Sequence, residues 1–507
     1  PVPVDEMPFD LPAGWAWERL GNVGDTNIGL TYSPKDVANT GVPVLRSNNI
    51  QNGALDLSDL VRVDVNPKPS VMVGVGDVLI CARNGSRALV GKAALIDHLS
   101  GPTAFGAFMA IFRSRLNEYL YYFLASPLFR RMIDEVSTTT INQITQANLR
   151  STIAPIPPFP EQERIVAKVD ELMRLCDELE ARQQAKRESR IRLNNATLAP
   201  LNNAASLAPE EFEQAVTRLA DNFDTLYDSA ESVGKLRSTI LQLAVQGKLV
   251  PQDPRDEPAS ILLLRNDKER KRLANDGKSQ CLPTPVIEAP FQLPGGWQWT
   301  PLLELGVFLG GGTPSKSNPA FWEGRVPWVS PKDMKYLYID DTQDHISEDA
   351  TQHSAVRKIR PGSLLMVVRG MILAHSFPVA LTRVDVTINQ DMKALAFALP
   401  EIAEYVLLAC RGLRDAMLKR VARSSHGTCR LETSDIESFL IPIPPFEEQK
   451  RIIAKVNQLM ALCDELEAKL RQAEADSEKL MNAAVQHVLE CVRDAPARAA
   501  VSESVSV

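Results

Sequence analysis

Apolar residues recur at spacings of four, three, four and three along two separate stretches of this chain. They are Ile165, Val169, Leu172, Cys176 and Leu179, and again Ile452, Val456, Leu459, Cys463 and Leu466. These are heptad spacings, so each stretch predicts a helix presenting a seam to another helix. The residues between the seams repeat as well. Residues 155–181 (PIPPFPEQERIVAKVDELMRLCDELEA) and 442–468 (PIPPFEEQKRIIAKVNQLMALCDELEA) share roughly four positions in five at a constant offset of 287. Amphipathicity explains a repeated seam but not a repeated surface, so the stretch is a duplication. Each copy opens on a proline pair, Pro157–Pro158 or Pro444–Pro445, which imposes an extended approach and tolerates only the first helical turn. Glu161, Glu447 and Glu448 follow, where a helix N-terminus favours negative charge. The first helix is expected to run to about Ala199, before Pro200, and the last from about Glu447 to Val492.

The pattern ahead of each copy differs in kind. Short β-like runs at 42–46, 60–65, 78–82, 89–96 and 107–113 are punctuated by Asn52-Gly53, Gly74, Gly76 and Asn84-Gly85, and a helical pattern covers 117–135. Ahead of the second copy, strands are expected at 326–329, 364–369 and 393–399 and a helix at 401–422. A few landmarks recur: LPAGWAW at 11–17 and LPGGWQW at 293–299, Val42-Pro43 and Val326-Pro327, and Gly76-Asp77-Val78-Leu79-Ile80 against Gly362-Ser363-Leu364-Leu365-Met366, with Arg83 and Arg369 following. Between them the halves barely agree. The expected class is α+β: variable block, constant helix, variable block, constant helix. Between the halves, Phe212, Val216, Leu219, Phe223 and Leu226, then Val233, Leu236, Ile240 and Leu243, predict a further seam over 209–246, ending at Gly247. A proline-rich break at 251–258 and a charged helix to about Asn275 complete the centre.

Composition adds bounds. A chain of 507 residues predicts several cores. No apolar run approaches a membrane span, and no basic-then-apolar leader opens the sequence, so a cytoplasmic setting without membrane partners is expected. The seven cysteines form no CxxC pair, and those on the seams are expected to pack as small hydrophobes. The net charge is −7. Residues 1–150 hold 13 Lys/Arg against 14 Asp/Glu, and residues 290–440 hold 16 of each. Any surface for nucleic acid is therefore a local patch or is shared with a partner.

Two motifs imitate catalytic loops. Phe308-x-Gly310-x-Gly312 resembles an S-adenosylmethionine loop, but Thr313-Pro314-Ser315 makes a turn where a helix should start. Ile156-Pro157-Pro158-Phe159 and Ile443-Pro444-Pro445-Phe446 imitate the N-P-P-F loop of adenine methyltransferases, yet isoleucine cannot accept a hydrogen bond from a target amine. No Walker A, H-E-x-x-H or G-x-S-x-G sequence is present, and no catalytic, cofactor-binding or metal-binding residue is expected.

The doubled PIPPFxEQ helix, LPxGWxW, Gly-Asp-Val-Leu-Ile followed by Arg83-Asn84-Gly85-Ser86, and LQLAVQGKL at 241–249 together resemble the specificity subunits of type I restriction–modification systems. The resemblance implies two α/β target-recognition domains separated by long constant helices packed as an antiparallel coiled coil or small bundle. It places recognition domains at 1–158 and 278–445, helical regions at 159–277 and 446–492, and a disordered tail at 493–507. It also implies a non-catalytic subunit of a phage-defence system. Each domain would read half of a bipartite target in double-stranded DNA, and the constant helices would set the spacer and dock two methyltransferase subunits. Motor-nuclease subunits would join through the complex, and S-adenosylmethionine, ATP and Mg would belong to those partners. A helix of 40 residues rises about 60 Å, enough for two readers about one DNA turn (about 34 Å) apart. Candidate DNA-binding residues in the first block are Arg46, Ser47, Asn48, Asn49, Arg83, Asn84, Ser86, Arg87, Lys92, Thr138, Thr139, Thr140 and Asn142. In the second they are Thr313, Ser315, Lys316, Lys332, Lys335, Arg369, Asn389, Gln390, Lys393, Ser424, Ser425, His426 and Arg430. These side chains and their loops can donate to phosphates or base edges, arginine to guanine and asparagine or glutamine to adenine.

Overall fold

The computed structural model describes residues 2–136, 142–275, 289–423 and 428–503. The chain divides into two units, Pro1–Gln184 and Ala185–Val507. In the first, Ala16–Arg19 pairs antiparallel with Ile153–Ile156, Trp17 facing Pro155, so the start and end of the block form one ribbon. The second unit repeats this with Gln298–Pro301 against Leu440–Ile443, Trp299 facing Pro442. The indoles are fixed alike: Trp17 Nε1 donates to the Phe9 carbonyl at 3.2 Å and Trp299 Nε1 to that of Phe291 at 3.1 Å, each ring edge-on to that phenylalanine. The LPxGWxW landmark is thus the first strand of a clasp, and the PIPPF approach is its second.

Between the clasp strands the blocks share a topology that their sequences conceal. The first contains the order Asp25–Ile28, Met109–Arg113, Val78–Cys81, Ala93–Leu95. The second contains Gly306–Gly310, Met392–Phe397, Leu364–Val367, Val379–Thr382, and adds Tyr338–Ile339 at the edge. Each also has a parallel pair outside that order, Val42–Leu45 with Ala104–Phe105 and Val326–Val329 with Thr387–Ile388, and the added edge strand of the second block is parallel to its neighbour as well. The Val78–Cys81 and Leu364–Val367 runs do not alternate because every residue in them is buried. Both strands therefore sit inside the core, which is what an uninterrupted apolar run implies.

Among the helices are α1 (Asn117–Leu124), α2 (Phe159–Asn202), α3 (Pro209–Asp221), α4 (Ala230–Val245), α5 (Ala259–Asn275), α6 (Ala403–Gly412) and α7 (Phe446–Glu503). The glutamine of PIPPFxEQ folds back on the proline run. Gln162 Nε2 donates to the Pro157 carbonyl at 2.8 Å, and Gln449 Nε2 to that of Pro444 at 3.0 Å. Tyr119 on α1 and Tyr405 on α6 donate to Pro155 and Pro442 at 2.7 and 2.8 Å. Burial of these phenols raises their pKa, Tyr119 to about 12. They remain neutral donors, locking each constant helix to its block.

Several boundaries differ from the sequence expectation. Helix α2 continues through Pro200 to Asn202. The seam expected over 209–246 is broken at Asn222 and again after Leu226, where the buried Tyr227 donates to Asn194 at 3.3 Å. The helical patterns at 117–135 and 401–422 are each interrupted, at Ala125–Ser126 and Leu413. The tail expected to be disordered from 493 is helical through Glu503, in a stretch rich in alanine, the best helix former.

Helix α4 is the hub of the second unit. Its Val233, Ile240, Leu241, Ala244 and Val245 are buried in one cluster with Ile452, Val456 and Cys463 of α7 and with α6. Gly412, ending α6, allows the close approach: a Cβ there would lie 2.8 Å from the Leu241 carbonyl oxygen. Beyond α4, the Glu448 carboxylate accepts from Trp297 Nε1 at 3.0 Å and Gln252 Nε2 at 3.2 Å, and burial raises its pKa. The duplicate carboxylate, Glu161, has neither bond. Glu448→Ala strands the buried Trp297 indole, while Gln252 Nε2 keeps the Gly247 carbonyl at 2.7 Å, and is expected to cost about 1–3 kcal/mol, whereas Glu161→Ala should cost less than about 1 kcal/mol. Denaturant unfolding of both variants checks this, and equal losses would contradict it.

Candidate nucleic-acid interface

In the first block three loops converge where the buried strand Val78–Cys81 ends. Asn84 Nδ2 donates to Ser47 Oγ at 3.3 Å, tying the loop that follows Val42–Leu45 to the ARNGS loop. Asn142 Nδ2 donates to the Gly85 carbonyl at 3.1 Å, and Arg83 forms an isolated antiparallel bridge with Gln143. Ser86 N donates to Asn84 Oδ1 at 3.0 Å, which holds the turn. Arg83 is exposed and its guanidinium lies 5.4 Å from the centre of the exposed Phe108 ring. Asn48 is exposed beside Ser47. Arg46 reaches Asp59 at 4.0 Å with its Nε buried and unpartnered.

The second block builds a matching edge from different side chains. Arg369, at the end of Leu364–Val367, is exposed and bridges Arg430 as Arg83 bridges Gln143; the bridged positions 143 and 430 stand at the same 287-residue offset as the constant helices. Thr313 donates to Gln390, bringing the Gly-rich turn to the turn before Met392–Phe397, and Arg369 lies 3.8 Å from Asp391 in that turn. Ser315 and Ser317 share a hydrogen bond of 2.7 Å, with Lys316 exposed between them. The glycines of this turn serve packing. A Cβ on Gly311 would meet the Asn389 carbonyl at 1.9 Å, and one on Gly312 that of Ala355 at 2.9 Å. No helix follows the turn directly, as the Thr-Pro-Ser sequence requires.

Some expected donors are committed elsewhere. Asn49 is 1% exposed, donating to the Asp56 and Asp59 carbonyls at 2.9 and 3.0 Å, and Asn389 is 6% exposed and caps Asp391 N at 3.0 Å. Both brace loops from inside and do not face solvent. Arg87 is paired with Asp134 at 3.1 Å, Lys332 with Asp344 at 2.9 Å and Arg430 with Glu432 at 2.9 Å. The Asp344 carboxylate raises the Lys332 pKa. Such surface pairs are worth at most about 1 kcal/mol, so a phosphate can compete for each cation. Lys335 instead lines a cavity of about 1220 Å³ with Arg237, Arg411 and Trp299. Lys92 and Lys393 are half-buried beside the converging loops and form no ion pair among the described residues. Thr138, Thr139, Thr140, Ser424, Ser425 and His426 lie outside the described residues.

Sequence reasoning missed Phe108. Its signal was an aromatic within the glycine-containing turn 106–108, a place where a flat ring can stand beside an arginine. Among the described residues no group of three or more His, Cys, Asp or Glu is placed to hold a metal ion, and no helix is long and apolar enough to cross a membrane. The arrangement offers planar guanidinium, amide and hydroxyl donors on loops braced by a rigid sheet. This chemistry suits phosphates and base edges.

Comparison with known proteins bears on this geometry directly. The family described as "Type I restriction modification DNA specificity domain" matches twice, over residues 12–188 and 294–474, each match taking in one block and the first part of its constant helix. The EcoAI specificity subunit of Escherichia coli is 27% identical over 520 residues, spanning 93% of this chain and 82% of the relative. The EcoR124I/EcoR124II specificity subunit, also from Escherichia coli, is 37% identical over 174 residues, covering 34% of this chain and 43% of that one. Among solved structures, a chain from a study of the assembly of a type I restriction–modification system superposes with a TM-score of 0.53 at 20% identity, covering 94% of this chain and 97% of its own, a likeness of fold. With two family matches that each enclose a clasped block and enter its constant helix, the chain belongs to the specificity subunits of type I restriction–modification systems.

Proposed function

We propose that each block reads one half of a bipartite sequence in double-stranded DNA, through the loops around Arg83 and Arg369. The carrying observation is the pair of equivalent loop edges, Arg83 with Gln143 and Arg369 with Arg430, built on one topology but furnished with different side chains. Shared scaffolding with divergent donors is what two readers of different half-sites need. On this reading the chain carries no catalytic group. S-adenosylmethionine, ATP and Mg belong to partner subunits: two methyltransferases docked on the constant helices, and motor-nucleases joined through the complex. Near-neutral blocks agree with a DNA surface completed by those partners.

The experiment is a shift assay on a cognate duplex with the methyltransferase partners present. Arg83→Ala and Arg369→Ala should each weaken binding about tenfold, the effect of one lost charged contact, and each should flatten the salt dependence. Arg62→Ala, whose Nη1 donates to the Gly41 carbonyl at 3.1 Å, is the control. DNA binding that ignores both loop arginines, or a complex that forms without DNA affinity, would leave a protein scaffold as the better description.

A further inference from the structure

The two constant helices carry the same docking groups, but only one copy has them engaged. On α7, Arg237 of α4 pairs with Asp464 at 2.6 Å and Glu467 at 2.8 Å. In the loop after α4, Gln252 reaches Glu448 at 3.2 Å, and Asp256 pairs with Arg451 at 2.6 Å. Beneath these contacts Val456 is 2% and Cys463 3% exposed. The order of contacts shows that α4 runs antiparallel to α7: as α4 and its loop advance from 237 to 256, their partners recede from 467 to about 450.

On α2 the identical residues stand open. Asp177 and Glu180 replicate Asp464 and Glu467, Arg164 replicates Arg451, and Glu161 replicates Glu448. None of the four has an ion pair among the described residues. Trp15 Nε1, the counterpart of Trp297 Nε1, is buried with no hydrogen-bond partner. Ile165 packs against its own block and Val169 is half-buried, but from there on the seam is bare: Leu172 is 49% and Leu179 57% exposed, and Cys176 is exposed, contrary to the expectation that both seam cysteines pack. Single exposed apolar residues are ordinary. A seam exposed over Leu172, Cys176 and Leu179 and flanked by an unused copy of a known set of polar contacts is not.

We propose that the Glu161–Glu180 face of α2 is a docking site for a second helix–loop segment of the α4 kind, from outside residues 1–507. Its partner segment carries an apolar stripe at the spacing of Val233, Leu236, Ile240 and Ala244 and lies antiparallel to α2. An arginine corresponding to Arg237 engages Asp177 and Glu180, and an aspartate in the following loop meets Arg164. The inference comes from the duplication alone and does not rest on DNA reading.

The test uses the full chain and a fluorescent peptide of its own residues 228–258, with a second version locked helical by an outward-facing i,i+4 lactam because short isolated helices are marginal. Anisotropy should show saturable binding, at least tenfold weaker to Asp177→Lys/Glu180→Lys, whose folding is verified by circular dichroism. A peptide with Arg237→Glu should lose a similar factor on the unmodified chain and regain it on the doubly substituted one. Bound peptide should slow alkylation at Cys176 as read by peptide mapping. Failure of both peptides to bind, or binding indifferent to both charge reversals, overturns the proposal. So does a concentration-dependent dimer abolished by Asp177→Lys/Glu180→Lys, which would put a second copy of the chain on this face.

Discussion

Replacing residues 291–443 with the corresponding block of a related specificity subunit will change one half of the methylated sequence and leave the other half as it was. The boundaries follow from the clasp. Residues 291–443 carry both strands of the Gln298–Pro301 and Leu440–Ile443 ribbon and the Phe291 that fixes Trp299, so the exchange breaks no β-pairing. The loops around Arg369 and the sheet that braces them move as one piece. Contacts that cross the join must be kept in the donor block. A residue as small as Gly412 is needed where α6 meets α4, and a tryptophan at position 297 is needed to donate to Glu448. A bulky residue at 412 would overpack the α4–α6 contact at a cost of about 1–3 kcal/mol and could hide the effect on recognition. Sequencing of methylated genomic sites reads the outcome directly. A change in both halves would refute the division of labour between blocks.

Inserting four helical residues after Ala181 should lengthen the gap between the two half-sites by one or two base pairs without altering either half. Four residues add roughly 6 Å of helix and turn it by only about 40°. DNA rises about 3.4 Å per base pair, which sets the expected change. The site is well placed for the purpose. Residues 171–189 of α2 are exposed, so the insertion disturbs no buried contact, and it falls just beyond the open face that ends at Glu180. A two-residue insertion turns the helix by about 200° and should abolish methylation. That loss would come from misdirecting one block relative to the other. It would not come from burying Lys168 or Glu178, as a paired seam would suggest, because both side chains are exposed. An active four-residue variant with an unchanged gap would mean that contacts other than helix length fix the spacing.

Much of this architecture is legible in the chain's own pattern. The buried strands Val78–Cys81 and Leu364–Val367 show themselves as unbroken apolar runs, and the constant helices as heptads behind a proline pair. Local chemistry suffices for such elements, since proline geometry and apolar periodicity act within a few residues. The loop arginines Arg83 and Arg369 are also legible, as polar residues directly after a buried strand. The roles of their neighbours are not. Asn49 and Asn84 look alike in sequence, yet one is consumed by carbonyls at Asp56 and Asp59 and the other ties two exposed loops together. Which amide turns inward depends on how distant loop backbones pass it.

By itself the sequence determined that the chain is a duplication, where its constant helices begin, and that each block opens and closes on fixed motifs. Only the tertiary structure decided that the divergent blocks share one strand order, and that identical seams meet different fates. The reason is that a heptad specifies an apolar stripe and not its partner. Arg237 must travel 230 residues along the chain to reach Glu467, whereas the same acids at Asp177 and Glu180 receive no counterpart from the described residues. Pairings at such separations are set by how the second unit closes around α4, and no local pattern in either copy records them.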